Sequence, residues 1–410
     1  MADRFPEPAD FASPPDARQL AAWQEADRAA LPVRLARVRE RFAGAGVDAY
    51  FGVRREHMRY LTGFTLADGE EKVAGNSGQF VVGSDEVVVL ADSRYTVQVR
   101  REAPDARVFE AYHDLPSRWP ELAASVGARR IAVEAGFVSH ALWERLAVAA
   151  PDVELVAVEG WVEADRATKE PAELERVAAA CAVADRALAS LLPRIRPGST
   201  EAALALELEW LMRTSGAEAL AFDVACLAGP EAALPHGAPG ERPVREGEVL
   251  LFDFGAQVAG YRSDMTRTLF VGEPDGRDLA VYELVARAQQ AAVNAVNAAV
   301  AAARAGAPMP DGRSIDAAAR AVIEAAGHGE HFGHGTGHGI GLATHEGPSL
   351  SRQAPDTPLP PRTVFSVEPG VYLEGETGVR IEDLVAIDVD AGRVEQLTSF
   401  PREVLVVGVS

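Results

Sequence analysis

Apolar residues along the chain fall into two alternating kinds of segment: short runs rich in Val, Ile and Leu, and longer windows with helical spacing. From Pro32 a helical window, Val33 to Ala45, closes on Gly44 and Gly46 and leads into a strand at Ala49–Val53. Strand-like runs follow at Gln79–Val82, Val87–Leu90, Ile131–Glu134 and Val153–Val158. Helical windows near Ser93–Arg101, Leu115–Val126 and Ser139–Ala149 lie between them. Such alternation buries sheet faces under helices and predicts an α/β domain ending near residue 160. Upstream, Pro6, Pro8, Pro14 and Pro15 punctuate the start, and Leu20, Ala21, Trp23 and Ala26 form only a weak stripe. Residues 1–30 are therefore expected to be an extension, a tail or a loosely docked helix.

A second unit opens at Pro171, a good first helical residue, and reads as helix to Leu192. Pro197-Gly198-Ser199-Thr200 is a turn and N-cap, with Glu201 in the next first turn. Strands are expected at Ala219–Cys226, Val249–Gly255, Val258–Tyr261 and Thr266–Val271, then helices at Leu279–Ala303 and Ile315–Ala326. The last third returns to strands at Val364–Glu368, Val379–Ile387, Val394–Leu397 and Val404–Val407. The expected organisation is an extension over 1–30, a smaller α/β domain over 31–165 and a larger one over 166–410, with no internal repeat.

Charge narrows the function. Acidic side chains number 61 against 40 basic ones, for a formal net charge of −21 over 410 residues. Phosphate backbones and anionic lipids require Lys/Arg surfaces, so neither nucleic acid nor a membrane is an expected partner. No apolar run approaches the roughly 20 residues of a membrane span. The acidic, Pro-rich start has no apolar signal-peptide core. Cys181 and Cys226, the only two cysteines, are too few for a disulfide framework. They read as small buried hydrophobes in a reducing, cytoplasmic setting. Lys72 and Lys169 are the only lysines among 40 basic residues, which reads as compositional bias.

Chemistry enters with acidic residues inside apolar strand contexts. Asp253 interrupts Val249-Leu250-Leu251-Phe252, Asp264 precedes Met265-Thr266-Arg267-Thr268, Glu368 ends Val364-Phe365-Ser366-Val367, and Glu382 lies within Val379–Val385. Any one of them is explained equally well by a buried ion pair or an edge position. The four together are not, because Arg267 and Arg380 are the only nearby cations. A buried carboxylate needs a compensating charge, and a bound cation is the simplest one. The segment His331-Phe332-Gly333-His334-Gly335-Thr336-Gly337-His338-Gly339-Ile340-Gly341 is too glycine-rich for a helix and reads as a loop or glycine-rich strand presenting imidazoles. Its spacing gives no dinucleotide or phosphate fingerprint. One imidazole with four carboxylates is an oxygen-dominated donor set that suits two divalent ions such as Mn²⁺, Co²⁺ or Zn²⁺. Paired ions share a hydroxide, lower its pKa and polarise a carbonyl, so these residues point to metal-assisted hydrolysis.

Ordered motifs carry a resemblance. Asp253-Phe254-Gly255, Ser263-Asp264-Met265-Thr266-Arg267-Thr268, His334-Gly335-Thr336-Gly337-His338-Gly339-Ile340-Gly341, His345-Glu346-Gly347-Pro348, Val367-Glu368-Pro369-Gly370 and Val379-Arg380-Ile381-Glu382-Asp383 follow one another, with Leu234-Pro235-His236-Gly237 ahead of them. Together they resemble the metal-dependent Xaa-Pro peptidases, aminopeptidase P and prolidase, of the pita-bread metallopeptidase family. The match is strong over residues 170–410. Tyr60-Leu61-Thr62-Gly63-Phe64 and Asp92-Ser93-Arg94-Tyr95 extend it to an N-terminal domain of creatinase type.

The resemblance implies a pita-bread catalytic domain, a smaller creatinase-type α/β domain and a homodimer. It implies that Asp253, Asp264, His338, Glu368 and Glu382 hold two divalent ions, manganese first. Glu368 then serves as general base toward a metal-bridging water, and His236 and His345 contact substrate and the tetrahedral intermediate. His334 and Arg380 line the proline pocket or order the ligands around it. The implied activity is cleavage between an N-terminal residue and proline in a peptide; an Xaa-Pro dipeptidase is the alternative. A metal-free creatinase-like C–N hydrolase and a binding-only member are disfavoured, because all five ligand positions are kept. His328 and His331 match no functional position, and Thr266 and Thr268 fit hydrogen bonding to the carboxylates and strand packing equally. Departures are Ala228-Gly229, where many relatives have Ser-Gly, and a longer, acidic Leu66–Gly78 loop that bears on substrate length.

Overall fold

A computed structural model describes residues 5–66, 76–111 and 114–408. Two compact units emerge, one from Gln19 to Asp165, the other from Arg166 onward together with the described residues before Gln19. Among the described residues, the first unit is built on a six-stranded sheet. Its order is Arg107–Glu110, Val87–Ala91, Phe80–Val82, Ala49–Gly52, Arg130–Glu134, Glu154–Val158. Ala49–Gly52 pairs antiparallel with Phe80–Val82 and parallel with Arg130–Glu134. Phe51 meets the edge of Trp119, with ring centroids 5.0 Å apart, in a core shared with Leu90, Ile131 and Leu146.

The N-terminal segment differs from the expected extension. A single helix runs over Ala17–Ala45, straight through Pro32, instead of starting at Val33. Trp23, Arg34, Val38 and Phe42 are buried and share one face, so one continuous stripe outweighs the N–H that proline lacks. Ahead of it, Phe11 stacks on Phe400 with centroids 5.9 Å apart, and Arg186 Nη1 donates to the Pro8 carbonyl at 2.6 Å. The described part of residues 1–30 makes these contacts while Trp23 is its only buried residue, and it divides between the two units. The expected long loop at Leu66–Gly78 falls mostly on residues 67–75, outside the described ones.

The second unit is also mixed α/β. Among the described residues it has a four-stranded sheet in the order Val406–Val407, Met265–Val271, Val249–Phe254, Ala225–Ala228. A five-stranded sheet runs Glu346–Leu350, Gly337–Gly339, Arg362–Val367, Asp383–Asp388, Arg393–Gln396. Helices Pro171–Leu191, Glu201–Thr214, Gly276–Arg304 and Gly312–Ala325 accompany them. Asp275 and Asp311 cap the last two, accepting from the Arg277 and Ser314 backbones. Val285, Ala292 and Val296 of Gly276–Arg304 share a core with Phe365 and Val385. No helix among the described residues is long and apolar enough to cross a membrane.

Two expected strands are broken, and the breaks shape the site. Val379–Ile387 is not one strand: Thr377–Arg380 pairs with Gly370–Leu373, whereas Asp383–Asp388 pairs with Arg362–Val367. Ile381 and Glu382 lie at the switch, where the Glu382 N–H donates to the Thr266 carbonyl at 3.1 Å. Val258–Tyr261 likewise turns back between Ala256–Val258 and Tyr261–Arg262. Ala259 and Gly260 take φ of 47° and 81° there, the left-handed pair that a two-residue hairpin requires.

Candidate metal centre

Separate elements deliver the acidic residues to one place. Asp253 lies in Val249–Phe254, paired in register with Thr266. Asp264 immediately precedes Met265–Val271, Glu368 immediately follows Arg362–Val367, and Glu382 occupies the strand switch. His338 sits in Gly337–Gly339, a strand flanked by two others. A Cβ at Gly337 or Gly339 would collide with the Ser366 or Gly347 carbonyl, so only glycine lets this strand pass with its imidazole inward. All five residues, with His236, His334, His345 and Arg380, line one cavity of about 410 Å³.

Within it, Asp264, His338 and Glu382 each present a ligand atom within 4.8 Å of the others. His338 Nε2 stands 3.7 Å from Asp264 Oδ2 and 3.4 Å from Glu368 Oε1. Two ligands held about 2.1 Å from a common tetrahedral ion stand about 3.4 Å apart. His338 Nδ1 faces the Gly339 carbonyl at 3.0 Å. A carbonyl only accepts, so Nδ1 carries the hydrogen and the Nε2 lone pair faces the carboxylates.

Electrostatics make the cluster incomplete by itself. Burial raises the Asp264 and Glu382 carboxyls well above the usual range, and the neighbouring carboxylates add to it. Burial raises Glu368 as well. Asp253 Oδ1 and Glu382 Oε1 are buried without a hydrogen-bond partner. Arg267 does not help: it donates to Asp383 at 2.6 Å and to the carbonyls of Thr266, Phe400 and Pro401. Among the described residues Arg380 is the only Lys or Arg lining the cavity. It donates to Asp253 at 2.6 Å, Tyr372 at 2.8 Å and Thr266 at 2.9 Å. Burial opposes its charge, but Tyr372 and the acids Asp253, Glu368 and Glu382 hold the guanidinium well above its usual value. One cation facing four carboxylates, with two orphan oxygens and an inward lone pair, fits divalent cations.

The other histidines take distinct places. His334 Nδ1 donates to the Gly335 carbonyl at 2.8 Å, so Nε2 accepts from Tyr372 at 2.8 Å. Burial holds His334 below the usual imidazole range and pushes Tyr372 up to about 12. His345 is exposed to the cavity and lies over His338, ring centroids 4.1 Å apart. Burial, then His338, holds it low. His236 is exposed on the turn after Pro235. His328 and His331 lie outside the cavity, their rings 5.6 Å apart. Sequence reasoning missed Tyr372, which looks like part of an apolar run. It also missed Ser366, whose hydroxyl accepts from the His338 N–H at 3.0 Å and donates to Glu368 at 3.1 Å.

A second acidic group, His57, Glu134 and Glu163, lies in the first unit. Glu134 there is saturated by donors: Tyr50 at 2.9 Å, the Val53 and Arg54 N–H groups at 2.8 Å, and His57 Nδ1. Two of those donors are the backbone N–H groups just ahead of the helix Arg55–Thr62.

Known proteins resemble this chain over most of its length. The chain is 32% identical to the uncharacterized peptidase YqhT of Bacillus subtilis over 375 residues, 92% of this chain and 100% of that one. It superposes on an Xaa-Pro dipeptidase from Bacillus anthracis with a TM-score of 0.82, at 31% identity over 92% and 100% of the two chains. An X-Pro aminopeptidase from Thermotoga maritima gives a TM-score of 0.76, at 34% identity over 88% and 98%. The profile of metallopeptidase family M24 matches residues 175–388, and that of the creatinase/prolidase N-terminal domain matches residues 34–168. The chain thus belongs to metallopeptidase family M24, preceded by an N-terminal domain of the creatinase/prolidase type.

Proposed function

We propose that the chain is an Xaa-Pro aminopeptidase, releasing the N-terminal residue that precedes proline, with Asp253, Asp264, His338, Glu368 and Glu382 holding two divalent ions. The observation that carries this reading is the inward His338 lone pair among four carboxylates served by one arginine. An oxygen-dominated set favours Mn²⁺, with Co²⁺ or Zn²⁺ as substitutes. Such ions, when bound, supply Lewis-acid chemistry: they polarise the scissile carbonyl and acidify water.

The protein's own groups do the rest. Glu368, its Oε1 fixed by Ser366, takes the proton from the attacking water, and burial gives it more proton affinity than an ordinary carboxylate. His345 and His236 face the cavity as donors to the oxyanion. His334, locked by Gly335 and Tyr372, walls the proline pocket, and Arg380 orients Asp253. The proposed form is a cytoplasmic homodimer.

A dipeptide presents a free carboxylate, which seeks an unengaged cation. Among the described residues Arg380 is the only Lys or Arg on the cavity wall, and three of its five N–H groups already donate to Asp253, Tyr372 and Thr266. That supports an aminopeptidase acting on longer peptides. An Xaa-Pro dipeptidase is the second reading, supported by the Bacillus anthracis structure of that name. Rates on Xaa-Pro and Xaa-Pro-Xaa with metal-loaded enzyme separate them, the tripeptide being preferred under the first reading. Full activity after exhaustive chelation would overturn both.

A further inference from the structure

Lys169 is the only lysine among the described residues, and its side chain is 1% exposed. Its ammonium donates to Glu346 Oε1 at 2.8 Å and to the Arg166 carbonyl at 2.8 Å. The Arg166 guanidinium binds the other oxygen of Glu346. Glu346 also accepts from the Ala343 N–H at 3.3 Å. Two cations thus close on one carboxylate, all three side chains at most 5% exposed. Burying such a cluster is weak evidence of stabilisation, because desolvation offsets most of the attraction. What the cluster secures is its location.

The residue before Glu346 is His345, whose ring lies over His338. The loop from Gly341 to His345 contains no strand or helix of its own. Besides Glu346, it is held by the Arg262 N–H on the Gly341 carbonyl at 2.9 Å and by the Thr344 hydroxyl on the Ala221 carbonyl at 3.1 Å. The clamp is anchored on the other side. Lys169 N–H donates to the Arg362 carbonyl at 2.9 Å, and Arg362 Nε returns to the Lys169 carbonyl at 2.6 Å. Arg362 begins the strand Arg362–Val367 that leads into Glu368. Lys169 and Glu346 therefore tie the His345 loop to that strand.

A Cβ built on Gly341 would stand 3.1 Å from Lys169 Cε and 2.5 Å from Glu346 Oε1. The loop backbone passes directly against the ion pair, and a planar guanidinium does not reproduce the geometry of a compact ammonium there.

We propose that Lys169 and Arg166 are positioning residues that act through Glu346 to hold the His345 imidazole against His338 and toward the substrate carbonyl. The proposal rests on the peptidase reading above. The test is Lys169→Met, alone and combined with His345→Ala, measured as kcat, KM, metal content and thermal midpoint on an Xaa-Pro-Xaa peptide. Lys169→Met is expected to lower kcat about 10- to 100-fold, the usual loss when an outer support of a site is removed. KM and metal content should stay within twofold, and the same change in the His345→Ala background should cost less than threefold. Lys169→Arg, which keeps the charge, should not restore the rate. If Lys169→Met folds poorly, Glu346→Gln, which keeps the shape, must show the same non-additivity. Equal losses in both backgrounds, a loss of metal in step with activity, or an unaltered kcat would overturn the positioning role. A wild-type enzyme inert toward every Xaa-Pro peptide would instead sink the peptidase reading. The His345 imidazole NMR signals would then decide placement: they must change in Lys169→Met and would refute it by staying fixed.

Discussion

Thr266→Val is the most informative small perturbation of the site. Thr266 is fully buried, and its hydroxyl donates to Glu382 Oε2 at 2.7 Å while accepting from Arg380 Nε at 2.9 Å. Valine keeps the branched shape and strand preference but removes that bridge. Glu382 Oε1 has no hydrogen-bond partner, so the carboxylate loses the side-chain hydroxyl that sets its rotation. One hydrogen bond to a charged group contributes about 1.5–3 kcal/mol. Loss of an outer partner of a metal ligand typically costs about 10- to 100-fold in affinity, which is about 1.4–2.8 kcal/mol. The two routes agree. Isothermal titration of chelator-stripped protein with Mn²⁺ should therefore show affinity weakened 10- to 100-fold, with kcat/KM falling in parallel at limiting metal. Thr268→Val is the control, because that hydroxyl bonds only the Arg380 backbone. Affinity within threefold of wild type for Thr266→Val would refute the claim that Glu382 is a ligand oriented by this hydroxyl.

Two further outcomes concern the scaffold. Burial above all raises Asp185 to about 7, against about 3.9 unfolded, so the folded state holds its proton more tightly. Stability from this group is present below about pH 4 and is lost as pH rises toward 7, by at most about 4 kcal/mol. Asp185→Asn should raise the thermal midpoint at pH 8 and leave it nearly unchanged at pH 4; parallel midpoint curves for the two proteins would contradict this. Arg267→Met removes the closest cation from Asp383, which is 0% exposed and keeps the Thr398 hydroxyl, the Gln289 amide and Arg402 at 3.7 Å. The change should cost about 3–5 kcal/mol in denaturant unfolding. Adding Asp383→Leu should recover much of that loss, and a double variant no better than the single one would refute the pairing argument.

How much the sequence disclosed depends on what kind of signal each feature leaves. Carboxylates at Asp253, Asp264, Glu368 and Glu382 stand out because acids are costly in apolar strands, and that contrast is visible without coordinates. The break at Ile381–Glu382 is invisible, because Val379–Ile387 alternates like one strand and only the two different pairing partners split it. Trp23 shows the same limit: its helix needs Arg34, Val38 and Phe42 on the same face, and Pro32 masks the continuity. Lys169 read as composition because its meaning lies in Glu346, 177 positions away. Tyr372 and Ser366 carry no signal of their own, since hydroxyls in strands are common until a carboxylate or imidazole is placed beside them.

The most direct test is metal stoichiometry coupled to rate. Chelator-stripped protein is titrated with Mn²⁺ while bound metal and Xaa-Pro-Xaa hydrolysis are followed together, in wild type and in Asp264→Ala. Two ions per wild-type chain, activity rising with their binding, and neither in Asp264→Ala is the expected result. Undiminished hydrolysis by metal-free protein, or an Asp264→Ala enzyme that still binds two ions, would contradict the claim that these carboxylates and His338 form one metal centre.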